Sequence, residues 1–290
     1  MLRNYFIRMD NNRAGKFQSL EKVTFAQWKV GYILYMMVLM IFIMFFHDSL
    51  SAQNTVKEDT SVIYIKENWK GSKEKEIEHY KNYVPEIIPE CFVLGTLHFF
   101  NVRNDNQVDL YANYEKPLVD FLVGYVQEKF GFTLQKEKEE GGFATYSSEL
   151  LKRLKNYFDK EGNLDISLFK SDEEICSFLL GVYYRDGDKI DDSIYKINFA
   201  SPYHELVYLL LKRIECDRIF YVHEKYLVPG GYRYYFEPSV LLKKYFDSIE
   251  MERIKLYNYF IENSKYYRKD EDKQYRKKEK EMIEAFFPFL

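Results

Sequence analysis

Cysteine is scarce in this chain: three thiols in 290 residues, Cys91, Cys176 and Cys216, with no C-x-x-C pair. They are too few and too scattered for a disulfide framework or a zinc site. No Gly-rich phosphate loop, G-x-S-x-G elbow or H-E-x-x-H helix occurs, so the motifs of P-loop enzymes, serine hydrolases and zinc proteases are missing. Positive charge is not in excess either. The formal net charge is −3, which argues against a generically basic nucleic-acid binder. Tryptophan (2) and proline (7) are rare, whereas Tyr (27) and Phe (24) abound. With 47% hydrophobic and 30% charged residues, the chain can build a packed core and does not read as disordered.

One long apolar run is present. From Val30 to Phe46 there is no charged residue, and these 17 residues lie at the short end of the range for a membrane-spanning helix. Arg3, Arg8, Arg13, Lys16, Lys22 and Lys29 precede it, and no Lys or Arg stands between His47 and Gln53. The positive-inside rule then keeps the N-terminus inside and translocates the chain beyond Phe46. Ser49-Leu50-Ser51-Ala52-Gln53 offers small residues for cleavage near Ala52, so the segment is read as a signal anchor or a signal peptide. A run that is apolar on all faces also fits a buried core helix.

The remainder shows a repeat. Phe92-Val93-Leu94-Gly95, Asn113 to Pro117, Gly141-Gly142-Phe143 and Lys155 to Asp159 recur as Phe178-Leu179-Leu180-Gly181, Asn198 to Pro202, Gly230-Gly231-Tyr232 and Lys243 to Asp247. The order is kept and the offsets fall between 85 and 89 residues. The chain thus divides into five segments: 1–52, basic and hydrophobic; 53–84, a polar connector; 85–165 and 166–250, the two repeats; 251–290, a charged helix and apolar tail.

In the second repeat, Ser171 caps a helix with an acidic first turn, and Ile175 to Tyr184 continues it. Arg185-Asp186-Gly187-Asp188 stops it, with Gly187 suited to a left-handed C-terminal position. Ser193 to Ala200 alternates as a strand. Ser201-Pro202 opens a helix through Arg213. Arg218 to Tyr226 and Tyr232 to Phe236 form two aromatic strands, and Pro238-Ser239 opens a closing helix through Phe246. The first repeat reads alike: helix near Ile87 to His98, strand Val108 to Tyr114, helix Pro117 to Phe130, hairpin at Gly141-Gly142, helix Ser148 to Phe158. Pro85 and Pro89 confine the regular part of its first helix to about Glu90 onward.

This α+β order, α-β-β-α-β-β-α present twice, resembles the LAGLIDADG homing-endonuclease family. Leu179-Leu180-Gly181-Val182-Tyr183-Tyr184-Arg185-Asp186-Gly187 carries the resemblance, matching L-x-G-h-h-x-x-D-G, and the likeness spans roughly residues 85–250. It implies two motif helices packed at a pseudo-twofold axis, with Gly95 and Gly181 at their closest approach. It also implies a monomer, and twisted sheets forming a saddle for DNA or RNA. Asp186 becomes the catalytic acid and a ligand for Mg²⁺, and Lys196, Arg218, Lys225 and Arg233 become the cations facing nucleic acid. The same offset applied to Asp186 lands on Phe100, with Asn101 beside it and Asp105 the nearest acid. One motif acid is therefore missing unless Asp105 serves as the second metal ligand, so nucleic-acid binding is expected and cleavage is in doubt.

Charge speaks for an alternative. Six of the 42 Lys and Arg and three of the 45 Asp and Glu lie in the first 52 residues, leaving the rest at −6. A membrane-anchored or exported, non-catalytic binding or structural protein fits that balance, with Tyr232, Tyr234, Tyr235 and Phe236 as a surface or, more simply, as a strand packed on both faces. His98, His204 and His223 stand isolated in sequence. Tyr266 to Glu281 reads as a solvated helix with i,i+4 pairs.

Overall fold

The computed structural model describes residues 63–64, 73–98, 106–159, 163–199, 203–224, 231–264 and 267–286. The hydrophobic segment Val30–Phe46, Phe100, Asp105, Lys225 and the final apolar residues 287–290 lie outside the described residues. Among the described residues no helix is long and apolar enough to cross a membrane. All of them belong to one unit, residues 60–290.

The element order is β1 (Ile63–Tyr64), α1 (Lys73–His79), α2 (Pro89–Gly95), β2 (Gln107–Ala112), α3 (Lys116–Phe130), β3 (Gln135–Glu139), β4 (Gly142–Tyr146), α4 (Ser148–Leu154), α5 (Asp172–Asp186), β5 (Gly187–Lys189), β6 (Tyr195–Phe199), α6 (His204–Arg213), β7 (Asp217–Glu224), β8 (Gly231–Glu237), α7 (Val240–Asn263) and α8 (Lys269–Phe286). Two antiparallel sheets result: β2-β4-β3, and β1-β7-β8-β6-β5. From α5 onward the chain runs α-β-β-α-β-β-α. The first half shows a single described strand, β2, between its first two helices.

Helix α5 is the central element. Ser171 and Glu174 form a reciprocal capping box at its start, each side chain accepting the other's backbone N–H at 3.2 Å. Ile175 through Tyr184 are all buried, so its apolar character all round reflects neighbours on every side. Helix α2 lies against it and is short because Pro89 starts it and Thr96 ends it, the Thr96 hydroxyl donating to the Val93 carbonyl at 2.7 Å. The Ile88 N–H donates to Ser177 Oγ at 2.9 Å, tying the entry of α2 to α5. Gly95 and Gly181 sit where the backbones meet: a Cβ on Gly95 would overlap the Phe178 carbonyl oxygen, and one on Gly181 that of Phe92.

Gly187 corrects an expectation. Its φ is −87°, ordinary extended backbone, and α5 passes directly into β5. Glycine is required there because a Cβ would strike the Tyr183 ring and carbonyl. The left-handed glycines among the described residues are Gly131, with φ +77° at the end of α3, and Gly141, with φ +95° in the β3–β4 turn.

The second sheet has two faces with different partners. Tyr195, Ile197, Tyr234 and Phe236 alternate toward the helices, where the Tyr183 and Phe246 rings stack at 4.1 Å and Tyr195 lies 5.4 Å from Phe246. Lys196, Tyr235, Phe220 and Arg233 point the other way, toward α8. The strand Tyr232 to Phe236 thus packs on both faces.

Helix α7 runs well past Phe246. Ser239 caps it by accepting the Leu242 N–H, Arg253 and Leu256 are buried in its second half, and Phe260 meets Tyr114 of the first half at 5.1 Å. Nothing after Phe246 breaks a helix, and the contact with the first half supports the extension. In the first sheet β3, at the edge opposite β2, is Gln-Lys-Glu-Lys-Glu and exposed at every position.

Candidate functional site

A cleft of about 950 Å³ opens between the two sheets, α7 and α8, and His98 and Asp186 line it. Asp186 is the last residue of α5, and His98 follows α2 by three residues. The two side chains meet: His98 Nε2 lies 2.5 Å from Asp186 Oδ2, the carboxylate accepting from the imidazole. Both are mostly shielded, at 18% and 15% exposure.

Behind this pair lies a buried ionic cluster. Arg185 donates to Asp109 Oδ2 at 2.6 Å, to Glu115 Oε1 at 2.7 Å, and to the carbonyls of Thr96 at 2.6 Å and Leu110 at 3.1 Å. The His98 backbone N–H donates to the same Asp109 oxygen at 3.0 Å. Burial alone would favour loss of the guanidinium charge, but Glu115 and Asp109 outweigh it and raise the Arg185 pKa above its ordinary value. The Tyr111 ring carries the guanidinium 4.4 Å from its centroid, and burial pushes the Tyr111 phenol well up. Arg185 thus fixes the two helix ends to β2 and sets where His98 and Asp186 stand.

The resemblance implies a divalent cation at Asp186. A hard cation such as Mg²⁺ needs several oxygen ligands in near-octahedral array. Here Asp186 faces an imidazole, Asp109 is committed to Arg185 and the His98 backbone, and no group of three His, Cys, Asp or Glu stands ready to hold a metal ion among the described residues. This donor set does not fit Mg²⁺. The pair can hold or pass a proton; it offers no second carboxylate.

The cations expected to face nucleic acid have diverse surroundings. Lys196 is buried, 2.9 Å from Glu279 Oε1 and 3.7 Å from Asp188 Oδ2. It does not face solvent, because α8 lies over it. Arg233 donates to the Tyr275 hydroxyl at 2.6 Å, its guanidinium 5.0 Å from that ring. Arg218 sits with φ +50° and its Nε 3.5 Å from Glu237. Lys225 and Asp105 fall outside the described residues; of the rest of the expected set, Asp186, Lys196 and Arg233 line the cleft, Arg218 does not, and Gly95 and Gly181 meet at the helix crossing.

Sequence spacing missed His98 as the partner of Asp186. The fixed offset from Asp186 assumes equal helices, whereas α2 stops at Gly95 and α5 continues to Asp186. The run Gly95-Thr96-Leu97-His98 was the available signal. His204 and His223, isolated in sequence, both stack on Tyr232, at 3.8 and 4.4 Å between ring centroids. The charged C-terminal helix is not solvated all round: Glu279 and Ile283 of α8 are buried.

The glycine-to-glycine helix pair and the α-β-β-α-β-β-α order beside it are the fold features that the LAGLIDADG resemblance implies. No family model and no curated protein matches the sequence. Among solved structures, the chain is similar to I-DmoI, crystallised in complex with DNA and Ca, at 17% identity over 56% of this chain and 87% of that one, with a TM-score of 0.35. It is similar also to full-length DUF199/WhiA from Thermatoga maritima, at 13% identity over 74% of each chain, with a TM-score of 0.36.

Proposed function

We propose that this chain is a nucleic-acid-binding protein on a LAGLIDADG-like scaffold that does not cleave its ligand. The observation that carries this reading is the contact between His98 and Asp186: the scaffold keeps its helix pair and one acid, and an imidazole stands where catalysis by hard cations calls for a second carboxylate. Arg185, Asp109 and Glu115 lock that geometry, so the exchange is built into the packing.

Lys196, Arg233, Arg253 and Arg276 line the second-sheet side of the cleft together with Asp186, Asp188 and Asp272, whereas Glu139 and Glu140 line its first-sheet side without a cation beside them in the lining. Binding of this kind neutralises few phosphates and so carries a shallow salt dependence, the slope being about −0.9 per phosphate on a duplex and about −0.7 on a single strand.

The test is mobility shift and plasmid cleavage with the full-length chain, with Mg²⁺ and with EDTA. The reading expects salt-sensitive retardation and intact plasmid under both conditions. Mg²⁺-dependent nicking that Asp186→Asn abolishes would overturn the non-cleaving part. No retardation even at low salt would discard nucleic acid.

A further inference from the structure

The outward face of the second sheet carries two aromatic rings and two cations side by side. Phe220 and Tyr235, on neighbouring strands, stack with ring centroids 4.8 Å apart and planes 13° from parallel. Lys196 and Arg233 flank them on the same face. Two stacked aromatics between two cations are the parts from which single-strand platforms are made: flat rings accept bases of any sequence, and Lys and Arg hold the backbone.

Helix α8 lies over this face, and its contacts imitate such a ligand. The Glu279 carboxylate accepts from Lys196 Nζ at 2.9 and 3.2 Å and from the Tyr235 hydroxyl at 2.6 Å. The Tyr275 ring takes the Arg233 guanidinium at 5.0 Å and Lys196 Nζ at 5.6 Å. An anion sits on the cations and a ring lies beside them. The other ties of α8 also lie outside the main core. Ile283 and Met282 pack with Ile190, Ile194, Phe220, Val222 and Tyr235 in a small separate cluster, and Arg276 donates to the Tyr257 hydroxyl of α7 and lies 3.6 Å from Asp188 Oδ2; the main core contains no residue of α8. Lifting α8 would leave the main core whole and uncover the aromatic pair.

We propose that the outer face of the second sheet is a binding platform for single-stranded nucleic acid, held shut by α8, with Glu279 in the place of a phosphate. This rests on the nucleic-acid reading above and adds the strand type and the gate. A platform available only in a minor open state binds with its affinity reduced by the open fraction, and opening it removes that penalty.

The experiment compares the full-length chain with Glu279→Gln/Ile283→Asp for binding of labelled oligothymidine and of a duplex of equal length. Hydrogen exchange across α8 is followed in parallel. The variant is expected to expose α8 amides and to bind oligothymidine about tenfold tighter or more. Tyr235→Ala added to it should reverse most of that gain, because it removes a stacking ring. In the unsubstituted chain, oligothymidine should itself lower the protection of α8. Equal affinity of the two proteins for oligothymidine, or α8 protection unchanged by both substitution and ligand, overturns the proposal. Binding of duplex alone overturns the single-strand platform and leaves nucleic-acid binding standing. Binding of neither strand type by either protein removes both.

Discussion

His98 and Asp186 stand 2.5 Å apart although 88 residues apart in sequence, because α2 and α5 meet at Gly95 and Gly181 and the two residues stand at or just beyond the C-terminal ends of those helices. Placing a second carboxylate opposite Asp186 should therefore create an affinity for hard cations. His98→Asp is expected to melt below the parent in EDTA, since two carboxylates then face each other, and to gain Tm as Mg²⁺ is added. The parent should gain nothing. A thermal scan over a Mg²⁺ series decides, and an equal shift in both proteins would sink the idea.

Arg185 is 2% exposed and serves two carboxylates and two carbonyls at once. Arg185→Leu leaves Asp109 and Glu115 without their cation and should cost about 3–5 kcal/mol in urea unfolding. Arg185→Lys keeps the charge but loses the planar fork, so a clear loss is expected there too. A lysine variant as stable as the parent would show that charge alone, not fork geometry, holds the helix ends.

The two glycines of the helix crossing make a sharper test. Gly181→Ala must push α2 and α5 apart and should cost about 3 kcal/mol or more, as overpacked cores do. Gly124, within α3, has open space where a Cβ would go, so Gly124→Ala should stabilise by about 0.5–1 kcal/mol. Urea midpoints moving the same way in both variants would contradict the close contact.

The seat of α8 should depend on acid. Burial opposes ionisation of Glu279, but the charge of Lys196 and the hydroxyls of Tyr235 and Tyr275 outweigh it and hold this carboxyl below its ordinary value of 4.5. A carboxylate with a depressed folded-state pKa stabilises fully above its unfolded value and loses that contribution as pH falls through the folded one. Tyr235 and Tyr275 are pushed upward by burial, Tyr275 to about 12, and so stay protonated donors throughout. Docking of α8 is thus expected to hold at neutral pH and to weaken below about pH 4.5, ahead of the main core. Limited pepsin digestion at graded pH should cut within residues 269–286 first. The same acid profile in Glu279→Gln would assign the loss to another group.

Much of the fold was legible because its signals are local. Ser171 with Glu174 and Pro238-Ser239 marked helix starts, and alternation in Tyr195–Phe199 marked a strand; Ser201-Pro202, read as a cap, lies outside the described residues, and the helix beyond it starts at His204. The repeat made Gly95 and Gly181 equivalent, and their close approach was what the LAGLIDADG resemblance implied. The features that escaped depended on where elements stop or on which groups lie across from them. The two-turn length of α2 put His98, not the residue at the equal offset, against Asp186. Gly187 reads as a left-handed stop in sequence, yet it is required by the ring of Tyr183. Burial of Lys196 needed α8, 83 residues away from it at Glu279, and no spacing rule links a strand lysine to a distant helical glutamate.

The outer strand β3 has a consequence for the company this chain keeps with copies of itself. Gln135, Lys136, Glu137, Lys138 and Glu139 leave one row of backbone groups open to another strand. A newcomer pairing there would meet lysines on one face and glutamates on the other, and would have to strip water from both. Lys136 and Lys138 are also tied down, to Asp120 and Asn113. Growth of the sheet into a fibre is thereby discouraged at this edge by charge alone, so neutralising Lys136 and Glu137 together would turn a soluble border into a sticky one.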